Sequence, residues 1–125
     1  MAYQKIGLVL GGGAARGLAH IGVLDRLHRA RIPIDVIAGT SAGSVIGALY
    51  AAGIKPDAMR EIVQNKLKWQ HFGSLVDVAL PKSGLIGGKK LTKTLSDVFG
   101  GELDFSDLKK PFACVAVDID SGEEV

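Results

Sequence analysis

The 125-residue sequence is poor in features that would place it in several large classes of protein. It has a single cysteine, Cys114, so a disulfide within the chain is excluded. Its formal net charge is only +2, which argues against a nucleic-acid partner held mainly through phosphates. No apolar run reaches the length of a membrane span. These absences point to a compact chain whose fold depends on burial of apolar side chains.

Signals for export and for metal binding are also missing. The first apolar run, residues 6–10, is broken at once by three glycines and is too short for a secretory signal. We therefore expect a cytoplasmic protein that contacts membranes only at its surface. Metal-ligand spacing is absent, and the sequence predicts no metal and no other cofactor. Cys114 lies in the apolar run 112–117, which predicts an inert thiol in the core.

The residues that are abundant favour an α/β fold. Hydrophobic residues make up 47% of the chain and glycine occurs 17 times, as expected for one domain with tight loops. The patterns predict strands at 5–10, 34–39 and 112–118, helices at 16–30, 41–52, 57–67 and 89–99, and a loop-rich stretch at 69–88. Strands separated by helices imply right-handed crossovers and a parallel-rich sheet with helices on both faces.

The most informative motif is Gly-Thr-Ser-Ala-Gly at residues 39–43. It joins the apolar strand 34–39 to the apolar helix that follows, and it places Ser41 between Gly39 and Gly43. A serine on such a sharp turn has its hydroxyl exposed, while the flanking glycines remove Cβ atoms that would clash. This arrangement is typical of a nucleophile elbow. The structural alternative is a glycine-rich turn whose serine only caps the helix.

A second glycine-rich turn, residues 11–17, follows the first strand and opens another helix. Its backbone N–H groups would carry partial positive charge and could hold a phosphate or an oxyanion. Arg16 stands where a dinucleotide fingerprint needs glycine, and Leu18 stands where a P-loop needs lysine. Gly88 and Lys89 do not complete a P-loop either. The remaining interpretation is an oxyanion hole for acyl transfer, which the amide of Ala42 could complete.

Together these two motifs resemble the patatin-like phospholipases, lipid acyl hydrolases of bacteria and plants. The similarity extends over residues 20–24, 84–88, 105–108, 111–112 and 115–122, and so over nearly the whole chain. It implies a lipid or ester substrate, no cofactor, Ser41 as the nucleophile, and an oxyanion hole built from Gly12, Gly13, Ala14 and Ala42. Supporting positions in the two motifs are Gly11, Arg16, Gly17, Gly39 and Gly43.

The sequence departs from the family pattern in two places. Ala14 stands where many members have another glycine, a small change because alanine keeps its N–H. The family also uses a Ser-Asp dyad whose aspartate lies in an Asp-Gly dipeptide, and this sequence contains no Asp-Gly. The resemblance therefore implies the amino-terminal portion of a single domain, truncated at its C-terminal side before the catalytic base. Asp118 and Asp120 are the nearest substitutes.

Two other functions stay open at this point. A Ser-His-Asp hydrolase is less favoured, because the elbow comes at the second strand and the only later histidine is His71. A lipid-binding or regulatory module could keep the fold without turnover. We expect a fragment of this kind to be weak or inactive alone, and to form homo-oligomers through surface exposed near residues 112–117.

Three further interpretations concern side chains around the motifs. His20 lies on the apolar face of its helix, which predicts a packed and hydrogen-bonded histidine. Arg16, at a helix N-terminus, is expected to orient the glycine loop. Four lysines are expected to form a solvated helix face that could also meet anionic headgroups: Lys82, Lys89, Lys90 and Lys93.

Overall fold

The computed structural model describes residues 4–65 and 88–125, and the side chains of residues 88–91 are not described. Three strands form the sheet: β1 (Gly7–Leu10), β2 (Val36–Gly39) and β3 (Phe112–Cys114). The α-helices are α1 (Ala19–Arg29), α2 (Ala42–Ala51), α3 (Pro56–Asn65) and α4 (Gly88–Phe99). The described residues also contain short 3₁₀ helices at Ala14–Leu18 and Phe105–Asp107.

The sheet is parallel throughout and its strands lie in the order β1-β2-β3. Leu10 pairs with Gly39, and Gly39 in turn pairs with Cys114, so the carboxyl ends of all three strands meet at one edge. The glycine-rich turn leaves β1 there and the serine turn leaves β2 there. This topology brings the two motifs together, as expected for parallel strands with crossover connections. The α/β fold class is therefore confirmed.

The core lies on one face of this sheet. Leu10 and Ile37 are 2% and 0% exposed, and they form one cluster with buried side chains of α1, α2 and α3. The strands lie side by side in the order in which they occur along the chain. Right-handed crossovers that all step the same way across a sheet place successive helices on the same face. On the opposite face, Val9 is 79% exposed and Val36 is 42% exposed. Within the described residues, the helices thus bury one face of the sheet, and the helices predicted on its other face are not seen in this part of the chain.

The close approach of α2 to the sheet depends on the absence of a side chain at Gly47. A methyl group at Gly47 would lie 2.9 Å from the ring of Phe112 and 3.2 Å from Ile37. Both contacts are tighter than packed side chains normally tolerate. Gly47 therefore allows this helix to lie directly across β2 and β3, which holds its first turn in place beside the end of the sheet.

Two predicted elements differ from the structure by more than two residues at one end. The helix predicted at 16–30 begins as a 3₁₀ helix at Ala14 and becomes α-helical at Ala19. The strand predicted at 112–118 ends at Cys114, because the following residues turn back as a hairpin. In that hairpin Ala116 and Val125 exchange two backbone hydrogen bonds of 2.8 Å. The backbone groups of residues 116–118 therefore pair within the hairpin rather than with β2.

The prediction of a buried Cys114 is wrong. Its thiol is free and exposed, because Cys114 is the last residue of an edge strand and the chain leaves the sheet after it. An apolar sequence context did not produce burial at this position. The loop-rich stretch 69–88 and His71 fall almost entirely outside the described residues, as do the side chains of Lys89 and Lys90. None of the described helices is long and apolar enough to cross a membrane.

Candidate active site

Ser41 occupies a strained turn between β2 and α2. Its backbone has φ 52° and ψ −126°, a conformation that residues with a side chain rarely adopt. Such a conformation costs on the order of 1–3 kcal/mol and persists only where the surrounding structure enforces it. Ser41 is exposed, and its side chain makes no capping hydrogen bond to the helix. The alternative of a serine that only caps α2 is therefore wrong.

The two glycines beside Ser41 explain how the surrounding structure enforces this turn. A methyl group at Gly43 would overlap the carbonyl oxygen of Leu10 and lie 2.6 Å from that of Gly11. A methyl group at Gly39 would lie 2.5 Å from the carbonyl oxygen of Gly43. The first turn of α2 is thus pressed directly against the backbone at the end of β1. Both glycines are needed for steric reasons, as the motif predicts.

The glycine-rich turn lies against Ser41. A methyl group at Gly12 would lie 3.3 Å from the Cβ of Ser41 and 3.9 Å from its Oγ. Gly13 has φ 152° and Ala14 has φ 49°, both in the region that favours glycine. The turn also lies against α2 at a second point, Gly17. A Cβ atom at Gly17 would lie 2.5 Å from the Cβ of Ala42, so only glycine fits there. The structure therefore brings the two predicted motifs into contact.

Several backbone N–H groups around Ser41 donate to no acceptor within residues 4–65 and 88–125. In the two turns, the N–H groups of Arg16 and Gly43 do find partners, at the carbonyl groups of Gly13 and Thr40, each at 2.9 Å. The N–H groups without a described acceptor include those of the predicted oxyanion donors: Gly12, Gly13, Ala14 and Ala42. Uncommitted N–H groups at the start of a helix attract negative charge.

His20 supports the glycine-rich turn from α1. Its Nε2 donates a hydrogen bond to the carbonyl oxygen of Gly11 at 2.8 Å, and the side chain is half-buried. The prediction of a packed, hydrogen-bonded histidine is confirmed, but its partner was not foreseen. In a trans peptide the C=O and the following N–H point in opposite directions. By holding the Gly11 carbonyl, His20 also fixes the direction of the Gly12 N–H.

Arg16 contributes through its backbone. Its N–H closes the turn onto Gly13, while its exposed side chain makes no hydrogen bond or ion pair to the residues that the structure describes. The expected side-chain role in orienting the loop is therefore not seen in this part of the chain. Lys93, one of the four lysines of the predicted solvated face, is exposed on α4.

The nearest sequence candidates for a general base occupy the carboxy-terminal hairpin. Asp118 Oδ1 accepts hydrogen bonds from the backbone N–H of Asp120 at 2.8 Å and of Ser121 at 3.2 Å. These bonds favour the ionised form and lower the pKa of the Asp118 carboxyl group. A carboxylate that already accepts two bonds and has a lowered pKa is a weak base. Asp120 is exposed in the same turn.

These features define the class of α/β proteins that present a serine on a strand–turn–helix elbow next to uncommitted backbone donors. The family model described as patatin-like phospholipase matches residues 8–124. The chain belongs to the patatin-like phospholipase family. The resemblance inferred from the two glycine motifs is thereby confirmed.

Similar proteins include much longer chains. The neuropathy target esterase sws of Drosophila melanogaster is 38% identical over 120 residues, which is 93% of this chain and 8% of that protein. The corresponding protein of Drosophila virilis is 39% identical with the same coverage. The chain therefore spans about 8% of the length of these relatives.

Solved structures show the same fold. The type III effector protein ExoU aligns with a TM-score of 0.54 at 16% identity, over 90% of this chain and 34% of that one. A second structure, of full-length ExoU with SpcU from Pseudomonas aeruginosa, aligns with a TM-score of 0.50 and 28% identity. It covers 81% of this chain and 19% of that one. At 16% identity the first comparison concerns the fold alone.

Proposed function

We propose that this chain is the amino-terminal, nucleophile-bearing portion of the catalytic domain of a serine lipid acyl hydrolase. The single observation that carries the proposal is the strained, exposed Ser41 with no capping bond, beside four backbone N–H groups that donate to no acceptor in the described part of the chain. A serine held in this way is costly to fold, and its placement next to anion-attracting donors matches what ester cleavage requires. Family membership and the esterase names of the relatives support the same chemistry.

In the proposed reaction, Ser41 Oγ attacks the carbonyl carbon of an ester. Its proton passes to a general base while the carbonyl oxygen becomes negative and accepts hydrogen bonds from the glycine-rich turn and from Ala42. Collapse of this intermediate breaks the bond to the alcohol, which leaves with the proton from the base. Water then attacks the acyl group by the same steps and regenerates Ser41.

The proposed base is an aspartate outside these 125 residues. Asp118 is poorly suited, because its carboxylate accepts two backbone bonds and its pKa is lowered. Assistance by a general base is typically worth about 10²- to 10⁴-fold. We therefore propose a Ser-Asp dyad completed elsewhere in the polypeptide, and weak turnover by these residues alone.

A lipid ester is the proposed substrate class, with peripheral contact at a cytoplasmic membrane surface. The family name refers to phospholipases, and the exposed Ser41 stands at the open edge of the sheet, where a carbonyl group can reach it. A lipid-binding module that keeps the fold without turnover remains the alternative of a different class.

A fluorescent alkyl phosphonate ester, applied to a full-length polypeptide that carries the proposed aspartate, tests the nucleophile without requiring turnover. The phosphorus is attacked as a carbonyl would be, and the serine stays labelled. We expect one label, located at Ser41 by mass spectrometry, and a loss of labelling of at least about 10²-fold in Ser41→Ala. Ser106→Ala, which removes an exposed hydroxyl from the 3₁₀ helix Phe105–Asp107, is the matched control and should label normally.

The same experiment separates the two functions. Labelling at a different residue, or equal labelling of Ser41→Ala and the unmodified protein, would contradict the assignment of Ser41. Absence of any label while a lipid analogue still binds would favour the non-catalytic module instead.

A further inference from the structure

An open cavity with a volume of about 430 Å³ lies at the end of the sheet opposite Ser41. It is formed where α1 and α2 end and where the chain enters β2. Buried Ile34 and partly exposed Ile32 belong to its apolar wall. Four basic residues complete much of the lining: His28, Arg31, Lys55 and Lys110.

The basic residues are not required to satisfy the ends of the two helices. Cations often gather at helix C-termini because the last carbonyl groups lack partners. Here most of those carbonyl groups accept bonds from backbone donors: Leu27 from Ile32, Leu49 from Ile54, and Ala51 from both Lys109 and Lys110. Lys110 Nζ donates to a carbonyl outside both helices, that of Ile34, at 2.7 Å and has two further donors.

Among the residues that the structure describes, no carboxylate lines the cavity. The neighbouring acidic groups have other partners: Asp25 and Asp57 pair with Arg29 and Arg60. Asp35, next to Ile34, accepts a hydrogen bond from the N–H of Ile6 at 2.7 Å. Within the part of the chain that the structure describes, Arg31 and Lys55 form no ion pair. Several like charges around one concave surface repel one another, and an anion between them would remove that repulsion.

We propose that this cavity binds a phosphate ester that carries an apolar group. A phosphate offers enough acceptors for a guanidinium and two ammonium groups at once, and Arg and Lys are the side chains that most often bind it. Inorganic phosphate would gain nothing from the apolar wall formed by Ile32 and Ile34, whereas that wall would cover the organic part of an ester. The cavity volume lies in the range of small-molecule sites.

This site is separate from the elbow and does not depend on the proposed catalysis. Ser41 precedes the first residue of α2, whereas Tyr50 and Gly53 of the cavity lie at and beyond its last turn. A helix of ten residues is about 15 Å long. Failure of Ser41 to react would leave the anion site untouched, and the reverse also holds.

Isothermal titration of the purified protein with three probes tests the proposal. The probes are inorganic phosphate, phenyl phosphate and dihexanoylphosphatidate below its micellar concentration. We expect saturable binding of both esters, at least tenfold tighter than inorganic phosphate, with amide chemical-shift changes centred on Arg31, Gly53 and Ile54. Tighter binding of the phosphatidate than of phenyl phosphate would identify a lipid source, and the reverse order a soluble ester.

Two double variants with the same change in net charge are compared, one at the cavity and one as its control. Arg31→Asn with Lys55→Gln removes two cavity cations, and asparagine tolerates the φ of 55° at position 31. Arg26→Gln with Lys93→Gln removes two exposed cations that do not line the cavity. We expect the first pair to weaken binding at least tenfold and the second pair less than twofold. Equal weakening by both pairs, or no saturable binding of either ester, would overturn the proposal.

Discussion

At the scale of single residues, backbone geometry around Ser41 carries more information than any side-chain contact. Ser41 and Ala14 both have positive φ although both have a Cβ atom. Ser41 is held by neighbours that lack a Cβ atom: Gly43 packs against the carbonyl groups of Leu10 and Gly11, and Gly12 lies against the serine. The turn at Ser41 is therefore maintained by close backbone packing, with His20 as its side-chain support.

The bond from His20 predicts a role in positioning the oxyanion donors. His20→Leu removes the donor to the Gly11 carbonyl and lets the Gly12 N–H change direction. A net hydrogen bond of about 0.5–1.5 kcal/mol corresponds to a loss of roughly 2- to 13-fold in the rate at which the phosphonate labels Ser41. His20→Gln, whose amide N–H₂ can also donate, should recover most of the rate.

A merely structural histidine would give a different result. In that case His20→Leu would lower the melting temperature while the folded protein still reacted at the normal rate. Measuring labelling rates and melting curves of both variants separates these outcomes.

At the scale of elements, a cluster of charged side chains ties α1 to α3. Asp25 accepts bonds from Arg29 at 2.9 Å on its own helix and from Arg60 at 3.0 Å on α3. Its side chain is only 13% exposed, so these partners are needed. The bonds from Arg29 and Arg60 lower the pKa of Asp25 below its ordinary value of 3.8.

This lowered pKa predicts how stability depends on pH. The folded state binds the Asp25 proton more weakly than the unfolded state, so the stabilisation is fully present above pH 3.8. It is lost as pH falls through the lower pKa of the folded state. Asp25→Asn should therefore melt at a lower temperature than the unmodified protein at pH 7, and the difference should shrink below about pH 4.

Asp97→Asn is the matched control, because Asp97 is exposed on α4 and has no ion pair within the described residues. Its melting temperature should follow that of the unmodified protein at every pH. A difference for Asp25→Asn that stays constant down to pH 2 would show that charge on Asp25 does not contribute.

At the scale of the whole molecule, one face of the sheet is buried and the other carries exposed valines. Val9 and Val36 lie on that face, and Val115 and Val117 follow β3 at 51% and 59% exposure. The sequence led us to expect self-association near residues 112–117. The exposure of Val9 and Val36 extends that expectation to the open face of the sheet, because uncovered apolar surface drives association.

Sedimentation velocity tests this expectation. Val9→Thr with Val36→Thr keeps side-chain size and β-propensity but makes the face polar, and should weaken association at least threefold. Val23→Thr is the control, since Val23 is 49% exposed on α1, away from the sheet. A monodisperse monomer of the unmodified protein at high concentration would contradict the expectation.

The sequence by itself determined the parts of this protein that depend on local steric requirements. A serine between two glycines, placed after a short apolar run, has few conformations that bury the run and expose the hydroxyl. The same holds for the glycine-rich turn after β1. Order and type of the main elements followed from their apolar periodicity. For these reasons the turn at Ser41 was predictable residue by residue, and the two strands that carry the motifs were predictable to within two residues.

Tertiary structure decided the features that join distant segments. The strand predicted at 112–118 was shortened because residues 116–118 pair in a hairpin, and Cys114 became exposed at its end. His20 found its partner only because α1 folds back beside Gly11. Arg31, Lys55 and Lys110 surround one cavity because parallel strands with crossover helices bring both helix ends to the same edge. Periodicity describes the face of each element, whereas contacts between elements depend on strand order and packing.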